Sequence, residues 1–168
     1  MGKIFLYTGN GIGKTTAAFG LALRAVGQGK KVIIIQFMKG RKDIGEYKVR
    51  SRLGRNFEIH QFGRKGWVNL KKPDAKDASA AQAGLKFAMQ ALKRGPDLMV
   101  LDEVNLAARI GLLEEKDVIR LLDRSGKTDV VLTGRSAPKS FIRRADSATE
   151  LKAIKSPKRF ITKRGITY

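Results

Sequence analysis

Short β-branched and apolar runs alternate with longer stretches of helical periodicity along the 168 residues. Residues 3–8 (KIFLYT) predict a buried strand. Residues 15–26 (TTAAFGLALRAV), rich in alanine and leucine, predict a helix stopped by Gly27 and Gly29. Residues 32–37 (VIIIQF) make a continuous apolar run, the pattern of a strand covered on both faces. A short helix is expected over 46–53, a third strand over 57–62 (FEIHQF) and a mobile loop over 63–74. In 77–93, Ala81, Leu85, Ala88 and Leu92 recur at helical spacing and predict a long helix. A buried strand at 98–101, a helix at 114–124, a strand at 129–133, a short helix at 138–145 and a late strand at 148–154 follow. Residues 156–168 read as a basic tail. There is no internal repeat, low-complexity tract or linker, so one domain over 1–168 is expected.

Strand and helix alternating at this spacing predict an α/β fold of three layers, a mostly parallel sheet flanked by helices. Such sheets bind ligands beyond the carboxyl ends of their strands. Residues 9–16, 38–42, 63–69, 102–105 and 134–136, which follow the predicted strands, are therefore the candidates for chemistry.

Composition narrows that chemistry. The chain has no cysteine, which excludes disulfides, thiolate nucleophiles and cysteine-held zinc or iron–sulfur sites; a single histidine, His60, excludes a multi-histidine metal site within one chain. His60 reads as an ordinary polar position on the third strand. The apolar run before the first glycines is too short for a signal-peptide core or a membrane span, and the strand-like pattern around Phe5 argues against a myristoylation signal. A cytoplasmic protein is expected. Lysine and arginine number 35 against 15 acidic residues, a net charge of +20, which predicts an anionic partner. The excess is uneven: 12 basic and 3 acidic residues in 1–60, 13 and 10 in 61–133, 10 and 2 in 134–168.

Gly9, Asn10, Gly11, Ile12, Gly13, Lys14, Thr15 and Thr16 lie between a predicted strand and a predicted helix. That is the context of a phosphate-binding loop. Its glycines let backbone N–H groups converge on phosphate, its helix start is positive, Lys14 supplies a point charge and Thr15 a hydroxyl for Mg²⁺. The position that usually carries the first glycine of such a loop is Thr8. The apolar run 98–101 ends in Asp102 and Glu103, where the magnesium-organising acid of a phosphate-loop protein belongs. One of the two is expected to reach the metal, directly or through water. They project to different sides of the strand end and so are not equivalent.

At this level of detail the chain resembles one family, the phosphate-loop ATP:corrinoid (cob(I)alamin) adenosyltransferases. The resemblance rests on residues 8–40 (TGNGIGKTTAAFGLALRAVGQGKKVIIIQFMKG), 98–113 (LMVLDEVNLAARIGLL) and 130–138 (VVLTGRSAP). Ala145-Asp146, Glu150 and Gly165-Ile166 fit as well. The chain departs from the family pattern at Ile12, where a lysine is usual, and at Lys155-Ser156, where Lys-His is usual. It departs again at Gly66-Trp67-Val68-Asn69, in place of Gly-Phe-Thr-Trp, and near Thr167, where an acid is usual.

The resemblance implies a P-loop NTPase (RecA-like) core. It implies transfer of the 5′-deoxyadenosyl group of ATP to Co(I) of a reduced corrinoid, with release of triphosphate. Co(I) carries no proton to remove, so no general base is needed; the catalytic work would fall to Lys14, Thr15 and Glu103 through positioning and charge stabilisation. Arg24 joins residues 9–16 as an ATP contact, Trp67 and Arg135 are corrinoid contacts, and Thr15, Glu103 and Asp102 are the metal ligands. The resemblance also implies a homodimer. The N-terminal arm that family members place near the partner's site is not expected here, since the first predicted strand starts at residue 3. An acidic, flavodoxin-like reductant is the partner that the charge suggests. The competing reading is a nucleic-acid-binding P-loop ATPase, which would explain +20 directly. A nucleoside kinase of the thymidine type is disfavoured by the missing zinc cysteines, and a non-catalytic nucleotide or corrinoid carrier is a further alternative.

Overall fold

The computed structural model describes residues 1–66, 68–70, 72–156 and 162–166. Its elements in chain order are β1 (Ile4–Thr8), α1 (Lys14–Gly27), β2 (Val32–Phe37), α2 (Gly45–Val49), β3 (Phe57–Phe62) and α3 (Ala75–Leu92). β4 (Leu98–Asp102), α4 (Val104–Arg109), α5 (Glu115–Asp123), β5 (Asp129–Thr133), α6 (Lys139–Arg144) and β6 (Ser147–Glu150) follow. The six strands form one sheet in the order β3-β2-β4-β5-β1-β6, and every pair is parallel. All carboxyl ends therefore lie along one edge.

The apolar runs of the strands serve two cores, one on each face. Val32, Ile34, Val100 and Val131 point to the face covered by α1, where Ala18 and Ala22 are fully buried one turn apart; such small side chains let the helix lie close to the sheet. Ile33, Ile35, Phe37, Met99, Leu101 and Leu132 point the other way, against residues of α3 to α6. Burial on both faces is why β2 and β4 read as unbroken apolar runs rather than alternating ones. Gly84 of α3 rides over Phe37 and Phe62, and a Cβ there would stand 2.9 Å from the Phe37 ring.

Two predicted elements change shape and one element is new. The late strand expected at 148–154 is shorter, because after Glu150 the chain leaves the ladder to bond the loop that follows β1. The helix α4 was not foreseen; it starts directly after Glu103, without any loop. α3 starts two residues early, capped by Asp74: its carboxylate accepts from the Asp77 N–H at 2.9 Å while Asp77 accepts from the Asp74 N–H. Arg64 donates to both carboxylates at 2.7 Å, which ties the start of the 63–74 segment to α3. Most of the expected basic tail (157–161, 167 and 168) lies outside the described residues. Within them, no helix is long and apolar enough to cross a membrane.

Candidate phosphate and metal site

The loop between β1 and α1 is held from one side. Gly11 N–H donates to Leu151 O at 2.8 Å, and Leu151 N–H donates to Thr8 O at 2.8 Å, so the chain leaving β6 clamps both ends of the turn. Gly9 has φ +98°, and a Cβ there would lie 2.3 Å from Leu151 O; both facts demand glycine. This clamp accompanies the threonine found at position 8. Gly13 precedes α1 in the left-handed region, and no side chain caps the helix, which leaves its first N–H groups for an anion. Lys14 is only 6% exposed. Its ammonium donates to Gly9 O (2.8 Å) and Gly11 O (2.6 Å), and so lies across the loop it serves. Burial pushes its pKa down, against the attraction of Glu103 and with the repulsion of Arg135.

Asp102, at the end of β4, is fully buried and accepts four hydrogen bonds. Oδ1 takes Thr15 Oγ1 at 2.9 Å and Thr133 Oγ1 at 2.7 Å. Oδ2 takes Gln36 Nε2 at 3.0 Å and Lys39 Nζ at 2.7 Å. Gln36 is oriented in turn by Gln61, whose Nε2 donates to Gln36 Oε1 at 2.9 Å, so a polar relay crosses β3, β2 and β4 inside an apolar sheet. Burial pushes the Asp102 carboxyl up, but Lys39 and the hydroxyl and amide donors outweigh it and hold the group below its ordinary range. For Lys39 burial acts downward, and the Asp102 carboxylate more than reverses it.

Glu103 is built differently. Its φ of +63° is left-handed, the turn that lets α4 begin at once, and its N–H donates to Thr133 Oγ1 at 2.9 Å. Oε2 is buried and has no hydrogen-bond partner among the described residues. Burial pushes this carboxyl up, Asp102 pushes it further, and Lys39, Lys14 and Arg135 pull against them. The two adjacent acids are thus a saturated hub and an acceptor with a vacancy. Mg²⁺ takes one or two carboxylates with substrate phosphates rather than a protein cage. The unpartnered Glu103 oxygen and the Thr15 hydroxyl fit such an ion; Asp102, with all four acceptor positions taken, does not fit without giving up a donor.

The remaining predicted residues distribute as follows. Arg135 lines a cavity of about 620 Å³ beside the loop, bounded by Thr8–Asn10, Arg135–Ala137 and Ala148–Glu150. Asn10, Ile12 and Thr16 are exposed on the loop and first turn. Arg24 is exposed in the last turn of α1, about 15 Å along the helix axis from Lys14 at 1.5 Å per residue, and the chain does not bring it to the loop. Trp67 lies outside the described residues. His60 is an edge-strand residue packed on Phe87 with ring centroids 4.3 Å apart and 3.0 Å from Glu58 Oε2, away from this site. Sequence reasoning missed Gln36, Gln61 and Thr133, and it reached Lys39 and Asn105 only as members of the candidate segments 38–42 and 102–105, without a role for either. Asn105 donates to Tyr7 O (3.2 Å) and Gly134 O (3.1 Å), joining the ends of β1 and β5 behind the site.

With a phosphate loop set against an acidic strand end, comparison with known proteins becomes informative. The sequence profile of the family described as ATP:corrinoid adenosyltransferase BtuR/CobO/CobP matches residues 1–168. The chain belongs to this family. Its relatives include the corrinoid adenosyltransferase of Pseudomonas aeruginosa, 37% identical over 157 residues that cover 92% of this chain and 76% of the relative. The corrinoid adenosyltransferase CobA of Salmonella typhimurium is 36% identical over 156 residues, covering 92% and 78%. A Sinorhizobium corrinoid adenosyltransferase is 33% identical, covering 93% and 74%. The family places the six-stranded parallel sheet as a P-loop NTPase-like core, as the resemblance implied. All three relatives are corrinoid adenosyltransferases, and the nucleic-acid-binding ATPase alternative is not favoured.

Proposed function

We propose that the protein transfers the 5′-deoxyadenosyl group of ATP to the cobalt of a reduced corrinoid. The observation that carries this reading is the phosphate loop facing an acceptor-vacant carboxylate, in a chain matched along its whole length by the adenosyltransferase family. In the reaction the Co(I) electron pair attacks C5′ of ATP, the C5′–O bond breaks, and the electrons leave with triphosphate. No proton is transferred in that step, so the chain's part is to bind, orient and neutralise. Lys14 and the free N–H groups at the start of α1 hold the phosphates, and the carbonyls of Gly9 and Gly11 keep the ammonium in place beforehand. Thr15 and Glu103 are the residues to hold Mg²⁺, which would supply further charge neutralisation on the leaving triphosphate. Asp102 positions the Thr15 hydroxyl by accepting a hydrogen bond from it, which turns the oxygen lone pairs outward.

Arg135 beside the loop and Trp67 are the proposed corrinoid contacts, and Arg24 a further ATP contact. Because Arg24 stands at the far end of α1, its contact with nucleotide would have to come from a second subunit, in keeping with a homodimer. The partner that supplies electrons is taken to be acidic and flavodoxin-like, and the site of action the cytoplasm.

An anaerobic assay with ATP, Mg²⁺ and chemically reduced cobalamin tests the reading, with the Co–C bond followed by absorbance and triphosphate by chromatography. Adenosylcobalamin and triphosphate are expected in equal amounts, with a rate loss of about 100-fold or more in Lys14→Ala. Trp67 is the sole tryptophan, so corrinoid binding should quench the intrinsic fluorescence. Absence of both products, with Lys14→Ala indistinguishable from wild type, would refute the assignment.

A further inference from the structure

Lys39 leaves β2 just after Met38, whose φ of +57° turns the chain over the carboxyl edge of the sheet. Its backbone is wedged there: a Cβ on Gly63 would stand 2.5 Å from Lys39 N, and one on Gly40 2.7 Å from the backbone of Arg64. The ammonium is thereby delivered to one place, 2.7 Å from Asp102 Oδ2 and 3.3 Å from Thr15 Oγ1. The hydroxyl after the loop lysine and the acid ending the neighbouring strand are the pair between which a phosphate-loop protein organises its divalent cation. Here the two are hydrogen-bonded to each other at 2.9 Å, and a side-chain cation touches both. Asp102 is 0% exposed, so without a cation it would be an uncompensated buried charge, whereas the Lys39 side chain is 27% exposed and its stem reaches the rim of the site. Two cations on one buried carboxylate repel strongly, so ammonium and metal cannot both press against Asp102.

We propose that Lys39 is a tethered counter-cation that occupies the cation seat beside the Thr15–Asp102 pair in the ligand-free protein, gives way when a divalent cation enters with nucleotide, and then pairs with the triphosphate. The proposal rests on the nucleotide-and-metal reading of the site given above, with Mg²⁺ on Thr15 and Glu103, and names Lys39 as the donor that Asp102 would give up to the ion. It assigns Lys39 as a positioning residue before binding and a phosphate contact afterwards. Metal alone must evict the ammonium without offering it another partner, and so binds weakly. Metal with triphosphate gives the ammonium a new anion, so the two ligands bind cooperatively.

The test uses Mn²⁺ as the probe, with the whole chain and neither nucleotide nor corrinoid present, and reads free Mn²⁺ by electron paramagnetic resonance. Lys39→Met is expected to bind Mn²⁺ at least about tenfold more tightly than wild type, and Mn²⁺ should raise its Tm by more than it raises that of wild type. Lys39→Arg keeps the charge and should bind Mn²⁺ as wild type does. If Lys39→Met does not fold, Lys39→Gln, whose amide still donates to Asp102, carries the same expectation. A merely structural lysine would leave Mn²⁺ affinity unchanged or lower it, and either result overturns the proposal. A second measurement needs no destabilising variant. In wild-type protein labelled at lysine Nζ, the Lys39 resonance, assigned by its loss in Lys39→Arg, should shift when Mg²⁺ and ATP are added together; no shift also overturns it. Both measurements are independent of Co–C bond formation. A protein that passes them yet makes no adenosylcobalamin would sink the functional reading and leave the Lys39 role standing.

Discussion

Glu103 carries two burdens at once: a left-handed backbone and a buried carboxylate oxygen with no donor. A non-glycine residue in that conformation holds about 1 kcal/mol or more of strain, and the unpartnered oxygen adds to it. Both would be tolerable if the group exists to receive a ligand. Glu103→Gly is therefore expected to melt no lower than wild type while losing about 100-fold or more in adenosyl transfer. A thermal melt beside the anaerobic assay decides this; a lower Tm with full activity would show that the carboxylate is there for the fold. At this scale the sequence was partly legible. Lys14, Thr15 and the Asp102–Glu103 pair announce themselves by local spacing. Gln36, Gln61 and Thr133 do not, because each meets Asp102 or its relay from a different strand; Lys39 falls in the candidate segment 38–42, but nothing local gives it a role. A signal was present in Gln36, a lone amide inside VIIIQF. Such a group, once buried on both faces, must find a polar partner.

Among the elements, α3 offers the clearest pH test. Asp74 caps it, and the Asp77 N–H, with Arg64 beside it, holds the Asp74 carboxyl below the ordinary aspartate value of 3.8. A depressed pKa contributes stability that is complete above the unfolded value and disappears as pH falls through the native one. Asp74→Ala should thus lower Tm at pH 7, and its deficit should narrow below about pH 4. A deficit independent of pH, measured by thermal melts from pH 7 to 2.5, would mean that the cap acts otherwise than through its charge. Element identity was legible wherever apolar period and length agreed: β2, β3 and β5 lie within the residues expected of them. It failed at α4, whose six residues follow the acidic pair with no loop, since a turn made by a left-handed glutamate leaves no glycine to mark it. It also overran β6, whose four residues are all exposed; the residues beyond it have strand-like character but bond the phosphate loop instead.

For the molecule as a whole the net charge of +20 outruns what one triphosphate needs. If the excess guides an acidic electron donor, the rate of cobalt reduction by such a donor should fall steeply between low and moderate salt while the rate with a small chemical reductant stays level. Equal salt responses would remove that role. The layered parallel fold was legible because strand and helix alternate in the chain, but the strand order was not, since it depends on pairings between distant segments. That order has a consequence for synthesis. β1 is made first, yet both its neighbours, β5 and β6, are made last, and Gly11 is pinned by Leu151. At about 5–20 residues per second, the ribosome takes roughly 7–30 seconds to travel from the loop to the residues that brace it. Through that interval the growing chain has its nucleotide loop but not its clamp, so ATP has little to recognise until the final strand emerges.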